Sequence, residues 1–168
     1  MGEVKNLISA EAIDKIKKIA MDADIALFTT NLSKLPLATR PMGTLDVDDE
    51  GNLWFLSKND SDKNHDISHD NQVQLFYSNK GSAEYLSIYG RAQILTDRTK
   101  IKEYWTPLAK AWFKEGKDDP TITLLKVTPE DAYYWDTKEN KLITLVKIAF
   151  SAVTGSNVDG GIEGKIKV

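Results

Sequence analysis

Five short runs of apolar, aromatic and β-branched residues crowd into residues 24–95, each followed by a polar stretch. They are 24–30 (DIALFTT), 36–45 (PLATRPMGTL), 53–57 (LWFLS), 72–77 (QVQLFY) and 84–95 (EYLSIYGRAQIL). Strand and helix do not alternate regularly along them, so a doubly wound parallel sheet is not expected. Many closely spaced strands point instead to an antiparallel barrel, mainly β with flanking helices. The turn at 46–52 (DVDDEGN) would make the second and third runs a hairpin. Pro41 lies inside the second run. Proline donates nothing to a sheet ladder, so that strand is expected at an edge, at a bulge, or turned toward a ligand. Gly90, in the middle of the fifth run, signals a bulge or a close backbone approach.

Helices are expected on either side of these strands. Over residues 10–21, Ile13, Ile16, Ile19 and Ala20 share one helical face and Lys15, Lys17 and Lys18 take the other, with Ser9 as N-cap. Residues 61–69 suit a short helix. Thr96 and Asp97 can cap a helix over 98–105, and another is expected over 107–114, broken by 115–120 (EGKDDP). Strands follow over 122–128 and 131–136, with one more candidate over 142–152. The glycine-rich, charged end is expected to be poorly ordered or packed only in part. The chain is therefore drawn as a single domain over 1–155 with a tail over 156–168. At 168 residues one domain suffices and can bury a core without disulfide or metal.

Charge and residue usage exclude several functions. The net charge of -3 gives no reason to expect nucleic acid or an anionic membrane as partner. No apolar run approaches a membrane span, and the first residues lack the apolar core of a secretory signal. The absence of cysteine rules out disulfides, thiolate metal sites and cysteine nucleophiles, and suits a reducing cytoplasm. No GxGxxG or P-loop follows a strand. His65 and His69, the two histidines, stand four apart and offer half a metal site without a clear third ligand, so no metal is expected. No nucleophile elbow accompanies a Ser–His–Asp set, and no catalytic residue is assigned.

Residues 37–63 carry the most chemistry. Arg40 places a guanidinium in the middle of an apolar strand, and Lys63 follows the next strand across a loop holding Ser57, Asn59 and Ser61. A planar fork of donors, an ammonium point charge and several hydroxyls are what a phosphate monoester dianion needs. The plainer alternative is a surface arginine paired with an acid and a solvated lysine loop. Trp54, Trp105, Trp112 and Trp135, with Tyr85, Tyr89, Tyr133 and Tyr134, can build core or stack on a flat heterocycle. Trp54 suits core or a subunit interface. Trp135, near the end of its strand, is the candidate for stacking.

The motifs ATRPM, LWFLS with a polar loop and SDK, YLSIYGRAQIL, EYWTPLAKAWFKEGKDDP and LLKVTPEDAYYWD, taken in this order, resemble the pyridoxine 5′-phosphate oxidase-like FMN-binding split barrels, within them the general stress protein 26 group. The resemblance spans roughly residues 13–136. It implies an antiparallel, Greek-key-like split β-barrel that forms a homodimer with FMN at the subunit interface. Arg40 would contact the FMN phosphate, with Ser61 and Lys63 completing the cradle. Thr39, Pro41 and Met42 would lie along the flavin, and Leu56 and Ser57 would face the ring or ribityl chain. Tyr85 occupies the place of a glutamine near the ring in the oxidases, and Trp135 would reach the flavin from the partner. Asp62 stands where the oxidases carry an arginine, and their late substrate-holding arginine and histidine have no match after Trp135. Vitamin B6 oxidation is therefore not expected. Three functions stay open: a flavin-dependent oxidoreductase with NAD(P)H as candidate donor, a flavin-holding stress protein or carrier without efficient turnover, and a dimeric structural barrel with a vestigial site.

Overall fold

The computed structural model describes residues 3–4, 7–8, 10–137 and 161–167. Two short strands, β1 (Glu3–Val4) and β2 (Leu7–Ile8), precede helix α1 (Ala10–Ala23). The strands that follow are β3 (Ile25–Thr30), β4 (Ala38–Gly43), β5 (Asp46–Val47), β6 (Leu53–Lys58), β7 (Gln72–Asn79), β8 (Glu84–Leu95), β9 (Ile122–Thr137) and β10 (Gly161–Lys167). Helices α2 (Asp62–His69) and α3 (Arg98–Glu103) interrupt the series. The main strand order is β1-β10-β9-β8-β7-β3-β4; β2 lies beside β10, and β6 joins through β9. All pairings are antiparallel except those of β1 and β2 with β10. The sheet curls into a half-barrel. Helix α1 buries Ala12, Ile16, Ile19 and Ala20 in the same core as inner-face residues Phe28, Leu75, Ile88 and Tyr134.

Strand β4 is an edge of this order, and Pro41 sits in it, as proline requires. Its partner corrects the expected hairpin. Arg40 pairs with Phe28 of β3, along a ladder running from Ile25↔Gly43 to Thr30↔Ala38. The hairpin to β6 is made by β5 instead, with Asp46 opposite Trp54. The change of partner falls between two residues: Thr44 N–H bonds Asp24 O, and Leu45 N–H bonds Trp54 O. Nothing in the 36–45 pattern marks that break.

Both readings of Gly90 hold. A Cβ there would lie 2.3 Å from the Thr128 carbonyl oxygen, and the β8–β9 register slips between Tyr89↔Asp131 and Gly90↔Pro129. The strands expected over 122–128 and 131–136 are one strand, β9. Pro129 does not break it because it lies where β9 changes its other neighbour. Pairing with β6 ends at Val127 and pairing with β10 begins at Ala132, so the missing N–H costs no ladder bond on that edge.

The helix expected over 107–114 is a 3₁₀ turn, Pro107–Ala111, in which Trp112 N–H reaches back only to Ala109 O. Within the tail, residues 161–167 form β10, and Ile166 is buried in the core. Alternation of Ile162, Gly164 and Ile166 gives that segment a strand period that its glycine content obscures. The strand expected over 142–152 lies outside the described residues.

Candidate functional site

Helix α2 begins just after β6 ends, and its start is fixed by a cap near the surface and a buried ring of hydrogen bonds. Ser61 is the N-cap; its Oγ accepts from Asn64 N–H and donates to Lys58 O at 2.8 Å. Ser57 Oγ donates to Asn64 Oδ1 at 2.5 Å, Asn64 Nδ2 donates to Thr123 Oγ1 at 2.9 Å, and Thr123 Oγ1 donates to Ser57 O at 3.2 Å. All three residues of this ring are buried. It ties α2 to β6 and β9 with its polar groups mutually satisfied. The ring places Ser57 as a support for the helix start, with its hydroxyl already engaged. Leu56 is half-buried against the cluster of Trp54, Ile101, Phe113 and Leu124.

Arg40 comes to the same end of the molecule from β4. It shares the inner sheet face with Phe28 and Met42, because residues two apart along a strand point the same way. Met42 lies deep in the core, while Arg40, nearer the strand's start, extends toward α2. Its Nη1 donates to Thr30 Oγ1 at 2.8 Å and to Phe28 O at 3.3 Å, and its Nη2 lies 4.0 Å from Asp66 on α2. Thr30 Oγ1 in turn donates to Asp66 Oδ2 at 2.6 Å.

The Arg40 charge reaches Lys63. The Lys63 ammonium is lowered from the ordinary lysine value by burial first and by the Arg40 charge next, with Asp62 and Asp60 partly opposing. Burial likewise lowers Arg40, against the raising influence of Asp66 and Asp62. Arginine stays charged regardless. Two half-buried cations that repel one another, beside a helix start whose first-turn amides are donors, form a setting that a dianion stabilises. The donor set fits a phosphate monoester.

Thr39 and Pro41 point to the opposite, outer face of the sheet; Thr39 Oγ1 lies 2.8 Å from Thr29 Oγ1. Tyr85 and Trp135 also lie on that outer face, paired across β8 and β9, and the Trp135 ring packs on Tyr133 with centroids 4.8 Å apart. Along the sheet β9 is four strand steps from β4, roughly 19 Å at the usual spacing. The predicted residues thus fall into two groups. Arg40, Ser61 and Lys63, supported by Ser57, gather at the α2 start, while Tyr85 and Trp135 stand apart on the outer face.

That outer face is apolar and open. Ile25, Leu27, Phe76, Tyr85 and Trp135 are each 41–50% exposed. Leu27 pairs with Pro41 on one side and Phe76 on the other, and Ser87 and Tyr133 continue the row across β8 and β9. Among the described residues no cluster of three or more potential metal ligands occurs, and no helix is long and apolar enough to cross a membrane.

Sequence reading missed Thr30, Asn64 and Asp66. Asn64 and Asp66 follow the Ser61 cap within the first helical turns, a position from which side chains can fold back on the helix start. Thr30 carries no such signal.

The chain is 24% identical over 155 residues to protein bli-3 of Neurospora crassa, covering 86% of this chain and 74% of that one. Its fold matches a general stress protein 26-type structure from Jannaschia sp. CCS1 with a TM-score of 0.75 and 23% identity, over 95% of this chain and 99% of that one. It also matches the general stress FMN/FAD binding protein of Xanthomonas citri, with a TM-score of 0.62 and 24% identity over 74% and 87% of the two chains. These likenesses establish the half-barrel as a split barrel. The family model described as pyridoxamine 5′-phosphate oxidase like matches residues 11–159, which take in β3 to β9, α2, α3 and all but the first residue of α1, and the chain belongs to that family.

Proposed function

We propose that this chain binds FMN, with the phosphate held by Arg40, Lys63 and the start of α2, and that two copies pair through the outer sheet face to complete each site. The observation that carries the reading is the placement of Arg40 against α2, its Nη2 4.0 Å from Asp66, on the capped helix whose Lys63 ammonium feels the Arg40 charge. Membership of the pyridoxamine oxidase-like family supports it, as does the likeness to a flavin-binding stress protein of Xanthomonas citri.

The pairing reading rests on the outer face. Five large apolar side chains there are about half exposed, a surface that a second copy would cover. Trp135 and Tyr85 are remote from their own Arg40 along the sheet, so a second copy is the route by which they reach a flavin. Thr39 and Pro41 share that outer face and would line the crevice between copies.

When bound, the flavin supplies hydride or one-electron chemistry. The chain's own residues grip the phosphate, exclude water from the ring and supply its stacking surface. A flavin-dependent oxidoreductase in a reducing cytoplasm is the favoured activity, with NAD(P)H as donor. A flavin holder without turnover is the second reading, favoured by Asp62 and Asp66, whose charges both act on Arg40 and weaken the grip on an anion.

FMN titration by quenching of flavin fluorescence, followed by anaerobic NAD(P)H addition, tests these readings. Saturable 1:1 binding per chain and bleaching of the flavin band support the oxidoreductase; binding without bleaching supports the holder. Sedimentation as a monomer at micromolar concentration, with FMN present, overturns the paired site.

A further inference from the structure

We infer that Thr30 aims Arg40 at the phosphate, with Asp66 fixing the direction of the Thr30 proton; this rests on the flavin reading above. Thr30 is fully buried at the end of β3 and has one hydroxyl proton to give. Asp66 Oδ2, at 2.6 Å, takes it in a short charge-assisted bond. The hydroxyl's lone pairs are left as acceptors, and Arg40 Nη1 fills one of them at 2.8 Å. Phe28 O, at 3.3 Å, accepts from the same nitrogen. One edge of the guanidinium is thereby committed to the protein. Asp66 lies 4.0 Å from Nη2, a neighbouring charge beyond hydrogen-bond distance, so the remaining edge of the fork is available to a ligand.

This arrangement matters because arginine is long and flexible, and β4 ends the strand order among the described residues. A guanidinium held in advance loses less freedom when a phosphate arrives. Thr30 is therefore a positioning residue, acting through Arg40 without touching the ligand. Asp66 has two opposed effects: its charge disfavours an anion, and its hydrogen bond holds the aim.

The test compares FMN with riboflavin, which has the same ring and ribityl chain but no phosphate, by fluorescence titration of the full chain. Thr30→Val is expected to weaken FMN binding about tenfold while leaving riboflavin binding unchanged, because only the phosphate is served by Arg40. Thr30→Ser, which keeps the hydroxyl, is expected to restore FMN affinity to within about twofold. A Thr30→Val protein that binds FMN as the wild type does, or that loses both ligands equally, overturns the inference. Asp66→Ala adds a test outside the sheet core. Charge alone says that removing this anion tightens FMN binding; loss of aim weakens it. Tighter FMN binding by Asp66→Ala overturns the inference even where Thr30→Val fails to fold. Wild-type protein that takes up neither flavin overturns the flavin reading and this inference with it. Wild-type binding with unchanged variants overturns the inference alone.

Discussion

The cation cradle and the outer sheet face carry the two halves of one proposed site, and they are built in opposite ways. The cradle is assembled within a single chain. Arg40 is held by Thr30 and Phe28 O, and the α2 start is locked by the Ser57–Asn64–Thr123 ring. The outer face has a few local contacts, Thr39 with Thr29 and Trp135 with Tyr133, and leaves Leu27, Phe76, Tyr85 and Trp135 about half exposed. Polar recognition needs geometry in place before the ligand arrives, because a buried polar group without a partner is costly. Apolar recognition needs only area, and the area can be covered later by a second copy.

The contrast breaks most sharply at Arg40. Arg40→Ala is expected to cost FMN binding about 3 kcal/mol, roughly 150-fold in Kd, at the upper end for a hydrogen bond to a charged group. Riboflavin affinity should stay as it is. A matching loss for riboflavin would show that Arg40 serves the sheet and not the phosphate. On the other side, Leu27→Asp puts a charge in the centre of the outer face without touching the cradle. It should weaken self-association by about 2 kcal/mol, roughly thirtyfold in the dimer Kd, the value of burying one leucine. Analytical ultracentrifugation reads this directly. An unchanged association constant would show that the copies pair elsewhere.

The two regions also differed in how far they could be read from sequence. Arg40 inside an apolar strand and Lys63 after a Ser-rich loop were legible because charge in such places has few explanations. The edge position of β4 was among the three that Pro41 allows, and Gly90 signalled both the β8 bulge and the close backbone approach, because each residue narrows what its strand can do. The route by which Arg40 reaches Lys63 was not legible. The expected β4–β6 hairpin would have brought them together; in fact β4 lies on β3, and α2 reaches over to the end of β3 through Asp66 and Thr30. That contact joins residues 36 apart with no shared period or turn between them. Met42 shows what the sequence left open: strand alternation sends its side chain into the core, and only the observed pairing shows which face is inside.

Asn64→Ala asks whether the cradle's preassembly matters. It empties the centre of the buried ring, leaving Ser57 Oγ without its acceptor and Thr123 Oγ1 without its donor. Stability should fall by about 1.5 kcal/mol, read from urea midpoints, with a smaller loss of FMN affinity as the α2 start loosens. Self-association should not move. If FMN affinity is untouched although stability falls, the helix start is a structural joint and the phosphate grip lies in the side chains alone.

The smallest expected effect is on pH, and it separates the two cations of the cradle. Burial and the Arg40 charge place the folded pKa of Lys63 below the ordinary 10.5. Between that lowered value and 10.5 the unfolded chain holds more protons than the folded one, so this residue makes stability rise with pH across that window and adds a penalty below it. A phosphate dianion reverses the bias, because it favours the charged ammonium. FMN binding is then coupled to proton uptake at Lys63, and affinity should decline as pH climbs through the free protein's lowered pKa. On the acid side, affinity should fall near pH 6 as the phosphate monoester gains its second proton. Lys63→Arg keeps a cation at all these pH values, so it should abolish the alkaline decline and leave the acid one in place. An alkaline decline that persists in Lys63→Arg would assign the titration to another group and remove Lys63 from the phosphate grip, leaving Arg40 and the start of α2 to hold it.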